Sequence, residues 1–361
     1  MKEQLTWEAL IELEGFPRKR LALLPTPMQQ LENFSKTFDG VELWMKRDDL
    51  SGLEGGGNKT RKLEFLVGDA LEKGADTLVT IGAIQSNHTR QTAAAAAKSG
   101  LKCALMHFGW TKDAGPNYRK VGNILLSSIM GAELYVDDTP RKIDDQGPLK
   151  EFCDFLVKKG KKPYLIPGGA SEHKLGSLGY MVCAAEIVKQ SKEENITFDY
   201  VLHCTGSSST QAGLIAGFAA LGEKIRVIGI ADDDETVIKK GRVLSLANDT
   251  LEMIGINTRV TSDDVEIFAG DVNLYGISDA KTFEGIKLLA QSEGIIADPV
   301  YEGKAIRGLR ELYEKRRFEE GSRILLMHLG GSPAVHAYAN QFDEVLLSTE
   351  FYEQFNNTEG K

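Results

Sequence analysis

The sequence predicts an α/β protein made of two three-layer domains with mostly parallel sheets. Three observations carry that expectation. Short β-rich runs alternate with helical segments along most of the chain, the pattern of strand–crossover–strand units. Its 361 residues correspond to about two domains. The hydrophobic fraction of 42% supplies enough apolar surface for real cores.

In chain order, Asp76–Gly82 is a strand ending in a turn, and the alanine-rich His88–Ser99 is a helix. Leu101–Phe108 returns to strand, Asn123–Met130 is helical, and Ala132–Val136 is again a strand. Lys162–Ile166 is a strand before a glycine-bearing loop, followed by a helix over Leu178–Gln190. The rhythm then repeats: strand Asp199–Cys204, helix Thr210–Leu221, strand Lys224–Ile230. Arg323–His328 is a strand, and a turn leads to a helix over Pro333–Gln341. No fixed-period repeat interrupts this order. The acidic run Asp232–Glu235 is expected to be a solvated loop rather than a metal site, and no Cys or His spacing suggests zinc.

A formal net charge of -9 repels phosphate backbones, so nucleic acid is excluded as a general partner. The amino-terminal MKEQLTWEALIELEG is acidic and amphipathic without a signal-like apolar core, and no stretch is long enough to span a membrane. Cys103, Cys153, Cys183 and Cys204 are widely spaced and expected to be free, buried thiols, implying a reducing, cytoplasmic location.

Five segments carry chemistry. In Gly55–Lys62 (GGGNKTRK), three glycines permit close backbone approach to a ligand, and a helix start offers free N–H groups. Lys59 at that start opposes the helix dipole, which favours a neutral amine able to form a Schiff base. A solvated lysine beside Arg61 and Lys62 is the alternative. The loop is no Walker A motif, because glycine does not precede the lysine and no upstream strand is evident.

In Ile81–Arg90 (IGAIQSNHTR), Ser86 and Asn87 either cap the helix or bind a substrate carboxylate. His88 is a base, a donor or simply a polar helix residue. In Cys204–Gly213 (CTGSSSTQAG), four hydroxyl residues, Ser207, Ser208, Ser209 and Thr210, follow Gly206 at a helix start suited to a phosphate dianion. This segment lacks G-x-G-x-x-G and G-x-S-x-G, which disfavours a dinucleotide site and a hydrolase elbow. Asp298–Lys304 (DPVYEGK) presents Tyr301 and Glu302 after a proline turn, and His328–Pro333 (HLGGSP) is another glycine turn. Tyr275, in LYGI, completes the set.

Together these segments, spread from about Phe16 to Phe342, resemble the 1-aminocyclopropane-1-carboxylate deaminase and D-cysteine desulfhydrase family of fold type II pyridoxal-phosphate enzymes. The resemblance implies pyridoxal 5'-phosphate in a cleft between a larger domain, 1–60 plus 171–361, and a smaller inserted domain, 61–170. It implies that Lys59 carries the cofactor, that Lys62 and the Gly206–Thr210 loop hold its phosphate, and that Asn87 and Glu302 meet the ring. Ser86, Tyr275 and Tyr301 match catalytic positions. Ser86, Asn87, His88, Trp110 and Leu329 match substrate-binding positions.

Within the family, Glu302, Leu329 and Trp110 resemble the deaminases, which convert 1-aminocyclopropane-1-carboxylate to 2-oxobutanoate and ammonia. His88 resembles the D-cysteine desulfhydrases and cysteate lyases, since deaminases carry glutamine there. A non-catalytic binding protein on the same fold is the third reading. The partners expected are a small amino acid and further copies of the chain, with no nucleic acid, membrane or metal.

Overall fold

The computed structural model describes residues 4–111, 115–139, 145, 147–232, 235–269, 275–342 and 348. Among the described residues ten strands form two sheets. They are β1 (Met28–Gln30), β2 (Val41–Arg47), β3 (Thr77–Ala83), β4 (Lys102–Phe108), β5 (Glu133–Asp137), β6 (Pro163–Leu165), β7 (Tyr200–Thr205), β8 (Arg226–Ala231), β9 (Glu266–Phe268) and β10 (Ser322–His328).

The six-stranded sheet has the order β1-β2-β10-β7-β8-β9, and the four-stranded sheet β5-β4-β3-β6. Every pairing is parallel except β1 with β2. Parallel strands need crossovers, and helices supply them here, covering both faces of each sheet.

Alternation along the strands explains the layers. Val201, Val227, Leu325 and Met327 face one way and pack against helices Lys174–Glu193, Ser209–Leu221 and Thr236–Met253. Leu202, Cys204, Ile228, Ile230 and Leu326 face the other way, toward helices Ala280–Glu293 and Glu302–Glu314. In the smaller sheet, Leu78, Cys103 and Leu105 meet helices Asn58–Glu72 and Asn87–Ser99, while Val79, Ile81 and Ala104 meet helix Gly147–Lys158. All four cysteines are free and buried. Among the described residues no helix is long and apolar enough to cross a membrane.

Two expectations are corrected. A strand, β2, does lie upstream of the Gly55–Lys62 loop. Glu42, Lys46 and Arg47 break its apolar run, but Val41, Leu43 and Met45 alternate into the core as one half-buried face requires. The segment after β10 is one α-helical turn, Ser332–Val335, continued as a 3-10 turn over His336–Gln341.

Candidate active site

The carboxyl ends of β3, β7, β8 and β10 converge on a cavity of about 400 Å³, where ligands sit in open α/β sheets. Its wall includes Lys59, Ser86, Asn87, His88, Trp110, Gly206, Ser207, Ser208, Thr210, Tyr275, Tyr301, Glu302 and Leu329. Segments from both sheets thus bring together all the expected site residues except Lys62 and Ser209. Those two lie behind the wall: the Lys62 amine donates to Ser207 Oγ at 3.0 Å and Ser209 Oγ at 2.8 Å.

Lys59 is the second residue of helix Asn58–Glu72. Two N–H groups of this helix start are used by the protein itself. Asn58 donates to the Leu329 carbonyl at 3.0 Å, and Thr60 to Gln91 Oε1 at 2.9 Å. The glycines serve the same packing: at Gly56, with φ +51°, a side chain would run into the Asp49 carbonyl. What faces the cavity is the amine. It donates to the Gly169 carbonyl at 3.0 Å and to Ser207 Oγ at 3.2 Å. Burial is the main reason its pKa falls from 10.5 to about 8, with Asp232 opposing the fall.

Ser86 caps helix Asn87–Ser99, accepting from the Thr89 N–H at 3.2 Å. Asn87 is instead held from the side, its Oδ1 accepting from Asn123 Nδ2 at 2.8 Å. The ring of His88 has a defined tautomer. Thr80 spends its only proton on the Ile166 carbonyl at 2.7 Å, so its oxygen accepts from His88 Nε2 at 2.9 Å. Nδ1 is left as a buried acceptor with no hydrogen-bond partner among the described residues. Burial, then the Lys59 and Lys62 amines, hold this imidazole well below its ordinary pKa, so it is neutral.

The loop after β7 enters helix Ser209–Leu221 through Ser208, a non-glycine residue at φ 60°. Its hydroxyls are partly committed: Ser209 Oγ donates to the Ala170 carbonyl at 3.0 Å, and Thr210 Oγ1 accepts from Asn58 Nδ2 at 3.2 Å. Across the cavity, Trp110, Tyr275 and Tyr301 form an edge-to-face series with centroids 6.0 Å apart. The Tyr301 hydroxyl donates to that of Tyr275 at 3.2 Å. Asp298 accepts from the backbone N–H groups of Val300, Tyr301 and Glu302, which fixes the turn presenting both side chains. Burial first, then Asp298, pushes the Glu302 carboxyl well above the usual range, and Glu302 Oε1 has no hydrogen-bond partner among the described residues.

Asp232 overturns the expectation of a solvated acidic loop. It is fully buried in the cavity wall, while Glu235 precedes helix Thr236–Met253. Asp233 and Asp234 lie outside the described residues. Sequence reading also missed Gly169, Glu172 and Arg242, which line the same cavity. Arg242 pairs with Glu172 at 3.2 Å near its mouth. Gly169 and Glu172 carried only the signal of lying after a predicted strand, and Arg242, in the second turn of helix Thr236–Met253, carried none. Among the described residues no group of His, Cys, Asp and Glu is arranged to hold a metal.

A family model described as pyridoxal-phosphate dependent enzyme matches residues 19–330. A 1-aminocyclopropane-1-carboxylate deaminase of Methylobacterium nodulans is 44% identical over 91% of this chain and 99% of its own. One from Rhizobium rhizogenes is 45% identical at the same coverage, and a probable one from Schizosaccharomyces pombe is 44% identical over 91% and 98%. A crystal structure titled as an ACC deaminase homologue superposes with a TM-score of 0.81 at 37% identity, covering 93% of this chain and 98% of that one. An O-ureido-L-serine synthase structure, 15% identical with a TM-score of 0.64 over 96% and 98%, shares the fold.

Proposed function

Since the chain belongs to the pyridoxal-phosphate dependent enzyme family, we propose that it opens and deaminates 1-aminocyclopropane-1-carboxylate. The substrate and one water give 2-oxobutanoate and ammonia. The observation that carries this is the convergence of Lys59, Ser86, Trp110, Tyr275, Tyr301, Glu302 and Leu329 on one cavity.

The residues present fit the cofactor. A buried amine with lowered pKa suits an aldehyde, a helix start with Ser207–Thr210 suits a phosphate dianion, and the orphaned Glu302 Oε1 awaits a partner. When bound, pyridoxal phosphate supplies the electron sink that labilises bonds at the substrate α-carbon.

The chain supplies binding and proton movement. Ser86 and Asn87, at the start of a helix, suit the substrate carboxylate. Lys59 Nζ takes and returns protons at the reacting carbon, which its pKa of about 8 permits near neutral pH. The Tyr301–Tyr275 hydroxyl pair holds a proton beside it, and burial, then Tyr275, keeps Tyr301 in the phenol form. Trp110 and Leu329 exclude water from the opened ring. Lys62 braces the phosphate loop from behind through Ser207 and Ser209.

A second reading, elimination from D-cysteine to pyruvate, ammonia and sulfide, or from cysteate with sulfite, is favoured by His88. Its bare Nδ1 suits a donor on the substrate. One assay separates the two: the purified holoenzyme is given each substrate and the keto acid is identified by mass. The proposal expects 2-oxobutanoate from the cyclopropane amino acid. Pyruvate from D-cysteine alone selects the second reading, and no keto acid from any substrate rejects both.

The same proposal includes residues 61–170 as an inserted domain, supported by β3 to β6 forming their own sheet. It places the protein in the cytoplasm, supported by four buried free thiols, as a homodimer or larger assembly.

A further inference from the structure

We propose that Asp232 is a second acidic residue of the cofactor site, placed to accept a hydrogen bond from the protonated ring nitrogen of the pyridoxal group alongside Glu302. The inference rests on the cofactor reading above.

Its first support is register. Thr205 pairs with Ala231 across β7 and β8, so Gly206 and Asp232 are the next neighbours past the strand ends. Leu202 and Cys204 on β7, with Ile228 and Ile230 on β8, face helix Glu302–Glu314. Alternation continues that face to Gly206 and Asp232, on the side that carries Glu302. A Cβ at residue 206 would lie 2.9 Å from Asp232 Oδ2, so glycine there makes room for the carboxylate. The Lys304 amine holds the Asp232 backbone carbonyl at 3.2 Å, and the Lys239 amine donates to the Gly206 carbonyl.

The second support is an unmet need. Asp232 is fully buried, lines the cavity, and neither carboxylate oxygen has a hydrogen-bond donor among the described residues. A buried carboxylate without a donor is costly, and a bound molecule that brings one removes the cost. The phosphate cannot be that donor, since a dianion repels a carboxylate. The ring N–H can, and the shared face with Glu302 favours it over the substrate ammonium. Burial and Asp298 push the Glu302 carboxyl well above its usual range, so a second acidic side chain on the same face adds an acceptor for the ring N–H. An acceptor there stabilises the pyridinium and so strengthens the electron sink.

The test titrates apo wild type, Asp232→Asn and Glu302→Gln with pyridoxal phosphate and with its analogue carrying C–H in place of the ring nitrogen. Asp232→Asn should bind pyridoxal phosphate about ten- to a hundredfold more weakly and bind the analogue as the wild type does. With nitrogen-15 in the ring, wild type and Glu302→Gln should both show a protonated nitrogen at neutral pH. Unchanged binding by Asp232→Asn, or equal weakening for both ligands, overturns the proposal. If Asp232→Asn does not fold, the Glu302→Gln resonance decides: a deprotonated nitrogen there overturns it. Failure of the wild type to bind pyridoxal phosphate would instead reject the cofactor reading itself.

Discussion

The Lys59 amine donates to the Gly169 carbonyl at 3.0 Å, tying the start of helix Asn58–Glu72 to the turn after β6. Gly169 adopts φ +67°, and a Cβ there would press on Ser207 at 3.1 Å. The amine is therefore gripped between two loops in the cavity wall, and its protonated form is disfavoured.

That burial has a pH signature. Attack on an aldehyde needs the free amine, so the rate at which the apo-protein takes up pyridoxal phosphate should rise about tenfold per pH unit up to about 8 and then level. Stability follows the same shift. Below about 8 both folded and unfolded chains carry the proton, and the cost of the buried ammonium is fully present. Between about 8 and 10.5 only the unfolded chain holds it, so stability rises with pH. Apo wild type should therefore gain on Lys59→Met across that window in urea titrations. Parallel curves would contradict the assignment.

The tyrosine pair should be catalytic rather than structural. Tyr301→Phe removes the donated hydrogen bond and should lower kcat by about a hundredfold or more, with little change in thermal midpoint. Tyr275→Phe removes the acceptor of that bond and should cost less. Equal, small losses in both variants would count against proton movement through this pair.

Arg61, two residues from Lys59, makes ion pairs at 2.8 Å with Asp48 and with Glu186, and all three are buried. Arg61→Ala leaves two buried carboxylates short of a partner and should cost about 3–5 kcal/mol in urea unfolding. A loss below about 1 kcal/mol, the range of exposed pairs, would refute that role.

Most of the strand order and the post-strand loops were legible, because apolar β-rich runs alternate with helices. β2 was not, since the charges at Glu42, Lys46 and Arg47 hide a half-buried face that only pairing with β10 completes. Lys59, Ser86 and Tyr301 stood out through turn chemistry beside functional side chains. Asp232 did not, because acidic runs are ordinarily solvated and its burial comes from the β7–β8 register. Two of the N–H groups expected to be free at the Lys59 helix start, those of Asn58 and Thr60, are taken up by Leu329 and Gln91, remote in sequence.

The glycines before Lys59 make a sharp test of that packing. Gly56→Ala combines φ +51° with a clash against the Asp49 carbonyl, so it should destabilise the fold by about 3 kcal/mol or more. Gly74, also at positive φ but with open space around it, is the control: Gly74→Ala should cost about 1 kcal/mol. Similar melting points for the two variants would contradict the close approach.

The most direct measurement is covalent. Borohydride reduction of the holoenzyme, followed by proteolysis and mass mapping, should place the pyridoxyl group on Lys59 alone, and Lys59→Ala should lose the adduct together with visible absorbance. An adduct on Lys62 or any other lysine, or none at all, would contradict the account.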